Sequence, residues 1–323
     1  MTELQDVFFV VGPTAVGKSE IAADVARELG AEIVSADAFQ IYRGLDLLTA
    51  KPDTATRAKT PHHLIGTISI LEDMNAEKYR RLALQAISEI QSREKLAIVA
   101  GGSGLYMKAL THGLSAAPAA DPDLRGRLNE LSLEELRQKL LRLDADAVRK
   151  IDLRNRRRVV RALEICLLTG KPVSSQRTQW SENVVAAAVS GGSLPMRTSA
   201  ATTRGVFVFR ERGELYERIN RRVEAMFDAG VIEEVRMAGA MSETASKMIG
   251  LRETRELLDG KMSILQCVAA IQQATRRYSK RQLTWFRRQT NFQPLNLSLL
   301  SQNEAVKKIS QLARSFGVAQ GND

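Results

Sequence analysis

The residues Gly12-Pro13-Thr14-Ala15-Val16-Gly17-Lys18-Ser19 have the types and spacing of a phosphate-binding loop. The glycines let backbone N–H groups turn inward around phosphate oxygens, and a helix opening at Lys18 adds a favourable dipole. Lys18 supplies a mobile positive charge, and Ser19 supplies a hydroxyl suited to Mg²⁺. The motif requires a phosphate compound without saying which one. Asp37, in Ser35-Ala36-Asp37-Ala38-Phe39-Gln40, closes a second apolar run. It can bind metal, act as a general base or cap the next helix. Gly101-Gly102-Ser103-Gly104 ends another apolar run; its glycines allow close backbone approach to a ligand, and Ser103 offers a hydroxyl. By itself a glycine-rich turn is better explained by a structural loop.

These groups need elements to bring them together. Val7 to Val11 is a continuous apolar run, as expected of a strand buried on both faces, and Lys18 to Leu29 has helical character. Further strands are expected at Glu32 to Ser35, His63 to Ile68, Leu96 to Ala100 and Val206 to Phe209. A helix is expected at Ala76 to Ser92. Alternating strand and helix predicts a doubly wound α/β sheet whose strand ends carry the three loops to one rim. After Ala116 the texture becomes helical and strand-free to about Thr169, where Gly170-Lys171-Pro172 stops it. Residues 186–205 are rich in Ala, Ser, Gly and Thr and read as a flexible loop, and 215–286 reads as mainly amphipathic helix. The expected domains are 1–115 as the first part of the α/β core, 116–204 as a helical insertion, and 205–323 as core completion with C-terminal helices.

The chain holds 47 Lys and Arg against 37 Asp and Glu, a net charge of +10, which favours a polyanionic partner. Arg154, Arg157, Arg158 and Arg161 recur at helical spacing, with few acids nearby, and are expected to share one helix side. Arg276 to Arg288 holds six cations and no acid, with Tyr278, Trp285 and Phe286 interleaved. Two such clusters point to nucleic acid. Arg218 and Arg222 lie one helical turn apart beside an apolar stripe of Leu215, Ile219, Val223 and Met226. Either can reach a phosphate site or simply face solvent.

The 323 residues allow one large or two linked domains. Cys166 and Cys267 are far apart, and only His62, His63 and His112 supply imidazole, which excludes a disulfide framework and a Cys/His zinc cluster. No apolar run approaches the roughly 18 residues of a membrane span, and the polar N-terminus does not look like a signal peptide. The expectation is a cytoplasmic monomer with no membrane partner.

In order along the chain, several segments resemble the tRNA dimethylallyltransferases, also called tRNA isopentenyltransferases. They are Gly12 to Ser19, Ala36-Asp37 with Gln40 to Asp46, Thr49-Ala50-Lys51-Pro52, Gly101 to Tyr106 and Asn155 to Glu164. Arg218-Ile219 with Arg222-Val223, Ile249-Gly250, and Lys280-Arg281-Gln282-Leu283-Thr284-Trp285 complete the set, which spans roughly residues 7 to 290. The chain departs from the family pattern in places. Ala38 and Phe39 stand where the family often has Ser and Arg, Leu48 stands where it has Gly, and Ser103 replaces Thr. Leu251 takes the place of an aromatic residue.

The resemblance implies a P-loop NTPase-like parallel core with an inserted all-helical domain, and transfer of a dimethylallyl group from dimethylallyl diphosphate to N6 of the adenosine 3′ of the anticodon. By the same analogy Gly12 to Ser19 hold the diphosphate with Mg²⁺ on Ser19. Asp37 is the base, Ser103 positions the amine, and Lys18 and Arg222 stabilise the leaving group. The anticodon stem-loop of tRNA would meet Asp37, Ala38, Phe39, Gln40, Ser103, Arg125, Arg157, Arg158, Val159, Val160 and Arg161. It would also meet Lys247, Met248, Ile249, Gly250, Leu251 and Arg252. Rival readings are a P-loop kinase of a nucleoside or small metabolite, an adenylate isopentenyltransferase, and a non-catalytic RNA-binding protein using its P-loop as a switch.

Overall fold

The computed structural model describes residues 7–113, 118, 120–175, 205–289 and 291–318. They form two compact units, one from residues 7–111 and 205–318 and the other from 112–175.

The first unit is built on a wholly parallel six-stranded sheet, β1 (Val7–Val11), β2 (Glu32–Ala36), β3 (His62–His63), β4 (Ala97–Gly101), β5 (Gly205–Phe209) and β6 (Gln293–Asn296). Their order is β3-β2-β4-β1-β5-β6. β1 is buried along its whole length because both of its faces are covered. Val7, Phe9 and Val11 pack on one side with α3 (Ala76–Gln91) and α4 (Gly104–His112). Phe8 and Val10 pack on the other with α1 (Lys18–Leu29) and, at the C-terminus, α13 (Gln302–Val318). A short α2 (Thr54–Ala58), capped by Asp53, precedes β3. Strand β3 is much shorter than the expected His63 to Ile68 run. Beyond His63 the chain turns through Leu64 and Gly66, both at positive φ, and Ile68 rejoins only as an isolated bridge to Tyr42. Strand β6 was not anticipated: it carries Pro294, lies at the sheet edge and is only partly buried, so it lacks an apolar run.

The second unit is helical: α5 (Pro122–Glu130), α6 (Leu133–Leu143), α7 (Ala145–Lys150) and α8 (Arg156–Thr169). Side chains cap each start, Asp121, Ser132, Asp144 and Asn155 in turn, and Gly170 closes α8 in the left-handed conformation. Leu128, Leu136, Leu140, Val159 and Leu163 form its own core. The sequence expectation for 186–204 lies outside the described residues.

The rest of the first unit comprises α9 (Arg212–Asp228), α10 (Val231–Met237), α11 (Leu251–Leu258) and α12 (Ile264–Phe286). Among the described residues no helix is long and apolar enough to cross a membrane.

Candidate active site

Because the strands are parallel, the segments after β1, β2, β4 and β5 emerge at one end of the sheet. The loop after β1 wraps tightly. Gly17, at φ 97°, caps α1 in a conformation that a side chain would strain, and Ala15 also takes a positive φ of 63°. Lys18 Nζ donates to Pro13 O at 3.1 Å, folding the ammonium back over the loop. Burial pushes the Lys18 ammonium down to about 8, although nearby Asp37 favours its charge; Arg222 adds a smaller push downward.

Three arginines support this loop from elements distant in sequence. Arg210, just past β5, donates through Nε to Val16 O at 2.9 Å. From α9, Arg218 donates to Ala15 O at 2.9 Å, and Arg222 Nη2 donates to Thr14 Oγ1 at 2.8 Å. Burial lowers the Arg222 guanidinium to about 10, and its buried Nε has no protein partner. A donor held there suits an anion. Of the two α9 arginines, both therefore face the loop rather than solvent.

Asp37 follows β2. Its Oδ1 accepts the N–H groups of Phe39 at 2.9 Å and Gln40 at 3.2 Å, so it caps a turn. It also lines a cleft of about 650 Å³ with Thr14 and Arg222. Capping and exposure to the cleft coexist, since the turn engages one oxygen of the carboxylate. The far walls of the cleft are apolar: Leu48, Val223, Met226, Met248, Ile249 and Ile271. Tyr278 on α12 joins the polar side, and Arg281 stacks over its ring with the guanidinium carbon 5.6 Å from the centroid.

After β4, Ser103 is fixed through its backbone, donating to Ala36 O at 3.2 Å and accepting from Met107 N–H at 2.9 Å as α4 begins. Gln282 on α12 joins two of these loops. Its Oε1 accepts from Thr14 N–H at 2.9 Å and its Nε2 donates to Gly102 O at 2.8 Å. Trp285, one turn along, packs on Gly104.

The segment Thr49-Ala50-Lys51-Pro52 fixes its own loop and, through Thr49 and Ala50, also lines the cleft. Lys51 Nζ donates to Tyr42 O, Gly44 O and Asp46 Oδ1 at 2.6, 2.9 and 2.5 Å, and Gln40 Nε2 donates to Ala50 O at 2.8 Å. Glu234 on α10 accepts the Leu47 and Leu48 N–H groups, each at 2.9 Å, which aligns Leu48 with the cleft wall. Gln40 is thus occupied within this loop, while Ala38 and Phe39 pack partly against the core.

Residues 247–252 divide by role. Met248 and Leu251 are buried, Ile249 lines the cleft and Gly250 turns the chain at φ 92°. Lys247 pairs with Glu243 and Arg252 with Glu253 at the surface.

In the helical unit the expected four-arginine face is corrected. Arg154 precedes α8 and donates its backbone N–H to Asp152. Arg161 bonds the fully buried Glu164 at 2.5 Å, and Arg125 grips the same carboxylate with two nitrogens, each at 2.9 Å. Burial alone would raise the Glu164 carboxyl, but these guanidinium bonds together bring it below its ordinary value. Arg157 and Arg158 remain exposed. Val159 and Val160 pack their side chains in the unit's core.

Arg210, Lys51, Glu234 and the paired role of Gln282 escaped sequence reasoning. The Lys280 to Trp285 and Thr49 to Pro52 segments were the signal for two of them, whereas Arg210 and Glu234 stand in no motif.

Among known families, the sequence model described as IPP transferase matches residues 40–289. The tRNA dimethylallyltransferase 1 of Citrifermentans bemidjiense is 41% identical over 284 residues, 87% of this chain and 88% of that protein. The solved full-length tRNA isopentenylpyrophosphate transferase of Bacillus halodurans is 30% identical and superposes with a TM-score of 0.68, covering 98% of this chain and all of the other. A eukaryotic dimethylallyltransferase acting on tRNA, at 22% identity and TM-score 0.78 over 97% of this chain and 80% of its own, shares the fold. A phosphate-binding loop and a glycine-rich turn at the C-terminal end of the parallel strands, with a matching family model and relatives over most of the length, lead to one conclusion: the chain belongs to the IPP transferase family.

Proposed function

We propose that this chain transfers the dimethylallyl group of dimethylallyl diphosphate to N6 of the adenosine 3′ of the anticodon in tRNA, releasing diphosphate. The carrying observation is that Thr14, Arg222 and Asp37 meet in a cleft whose remaining walls are mostly apolar. An apolar wall beside the phosphate loop suits a five-carbon chain. The relatives named for this reaction support the same reading.

In the reaction the N6–C1 bond forms as the C1–O bond breaks, and the diphosphate leaves with the electron pair. Developing charge on its oxygens is met by Lys18, by backbone N–H groups of the loop and by Arg222, whose free Nε suits that task. The adenine amine is a weak nucleophile because its lone pair is delocalised. Asp37 therefore takes a proton from N6 as the bond forms, a contribution of roughly 10²–10⁴-fold. Ser103, fixed to Ala36, positions the amine.

Among the described residues no cluster of three metal-binding side chains occurs. Mg²⁺ keeps several waters and leans on substrate phosphates, so it needs few protein ligands. Ser19, at the first turn of α1, would hold it, and the ion would supply charge neutralisation to the diphosphate.

The target base is stacked in its loop and must leave the stack, at a cost of a few kcal/mol that phosphate contacts offset. Arg157 and Arg158, exposed on α8, are suited to those contacts, with Lys247 and Arg252 on the first unit. Arg125 and Arg161 keep their guanidinium edges partly exposed while holding Glu164.

The test is Asp37→Ala with unmodified tRNA and labelled dimethylallyl diphosphate. Transfer is expected to fall by roughly 10²–10⁴-fold while tRNA affinity stays within a few-fold. Turnover at the unsubstituted rate would remove Asp37 from the base role.

A further inference from the structure

Gln282 is buried within α12, 5% exposed, and both ends of its amide are used by groups far away in sequence. The carbonyl takes the N–H of Thr14, in the loop that holds the leaving group; the amide nitrogen serves Gly102 O, next to Ser103. The fit around it is close. A Cβ on Gly102 would lie 2.3 Å from Gln282 Nε2 and 2.8 Å from Gly12 O, so any side chain there would displace the bridge. Gly12 N–H in turn donates to Gly101 O at 3.2 Å, closing a ring of contacts between the two loops.

From this geometry we infer that Gln282 is a positioning residue that sets the distance between the leaving diphosphate and the acceptor amine. The inference rests on the proposed transfer reaction. Thr14 N–H is spent on Gln282, so diphosphate affinity depends on the other backbone donors and on Lys18. The bridge instead governs how the phosphate loop and the Ser103 turn face each other. Its loss is expected to lower kcat and leave KM for the prenyl diphosphate nearly unchanged. A displacement of about 1 Å costs roughly 10²-fold in rate.

Side-chain chemistry provides a sharp test. In Gln282→Met both bonds are lost. In Gln282→Glu the carbonyl role survives, but the second oxygen donates to Gly102 O only when protonated. The experiment measures kcat and KM for dimethylallyl diphosphate with saturating unmodified tRNA, from pH 5.5 to 8.5, as ratios to the unsubstituted enzyme.

Gln282→Met is expected to lose roughly 10²-fold in kcat at every pH, with KM within about threefold. Gln282→Glu is expected to recover toward the unsubstituted kcat as pH falls. Full activity of Gln282→Glu throughout the range supports the bridge only where Gln282→Met has lost its kcat, since a buried acid that stays neutral makes both bonds; without that loss it overturns the inference. Equal, pH-independent loss in both variants would overturn the inference, as would unchanged kcat in Gln282→Met or a rise in KM with kcat preserved. If Gln282→Met does not fold, the pH dependence of Gln282→Glu still decides. Absence of transfer by the unsubstituted enzyme would defeat the reaction proposal, an outcome separate from all of these.

Discussion

Two sets of arginines divide the labour of this molecule differently. In the sheet-based unit, Arg210, Arg218 and Arg222 turn inward, and their guanidiniums hold carbonyls and a hydroxyl of the phosphate loop. Arg218 and Arg222 meet neutral acceptors there, which leaves their charge available to an anion, whereas Arg210 also pairs with Glu214 at 2.5 Å. In the helical unit, Arg125 and Arg161 share one fully buried carboxylate, and Arg157 and Arg158 stay in solvent. There the charge is either already neutralised or openly displayed. Sequence spacing alone suggests the reverse, because α9 carries four acids (Glu214, Glu217, Glu224 and Asp228) and α8 only Glu164. What decides is whether the partner that the fold brings to each arginine is a neutral loop oxygen or a carboxylate.

The largest expected effect comes from breaking the inward set. Arg222→Ala removes the donor beside Thr14 and is expected to lower kcat/KM for the prenyl diphosphate by roughly 10²–10³-fold, in steady-state transfer assays. Secondary structure by circular dichroism should not change.

Glu164→Gln breaks the helical set at its centre, leaving Arg125 and Arg161 without their anion. Both guanidiniums are about a third exposed or more, which softens the penalty to about 2–3 kcal/mol. Amide exchange in α5 and α8 should quicken accordingly, while protection in β1 and β4 holds.

The pH dependence sharpens the inward set further. The Lys18 ammonium, lowered by burial to about 8, is charged below that pH and neutral above it. kcat/KM for the prenyl diphosphate should therefore fall as pH rises through about 8, since this parameter reports the free enzyme. Bound diphosphate stabilises the ammonium, so the decline in kcat should be displaced to higher pH. For stability the sign is opposite to that of a paired lysine: because the folded value is the lower one, folding loses free energy as pH falls from the unfolded value of about 10.5 to about 8.

The smallest effect belongs to the displayed pair. Arg157→Gln with Arg158→Gln should weaken tRNA binding and reduce the slope of log affinity against log salt by about 1–2. Fold and kcat at saturating tRNA should hold. Substituting Arg125 instead should disturb exchange in α5 and α8 as well as the slope, and that contrast separates the two kinds of arginine.

How much of this was legible in the sequence follows from how local each feature is. The phosphate loop is a contiguous motif between an apolar run and a helix, and the buried strands are continuous apolar runs, so both could be read directly. Asp37 was placed at the right strand end, although its capping and its access to the cleft could not be separated before Oδ1 was seen to hold the turn. The short β3 and the edge strand β6 were hidden, because Leu64 at positive φ ends one and Pro294 disguises the other. Glu164 looked like a solitary acid because Arg125, its bidentate partner, is 39 residues earlier. Gln282 stood out only as part of a familiar segment; its partners are 268 and 180 residues away.

A phosphate loop that holds a leaving diphosphate and one that passes on a phosphoryl group differ in their products. The most direct measurement supplies purified protein with unmodified tRNA, Mg²⁺, C1-labelled dimethylallyl diphosphate and γ-labelled ATP together, then counts products. The expected result is one diphosphate released for each labelled N6-prenyl adenosine, with the ATP label untouched. Phosphoryl transfer from ATP with no prenyl adenosine formed would contradict it.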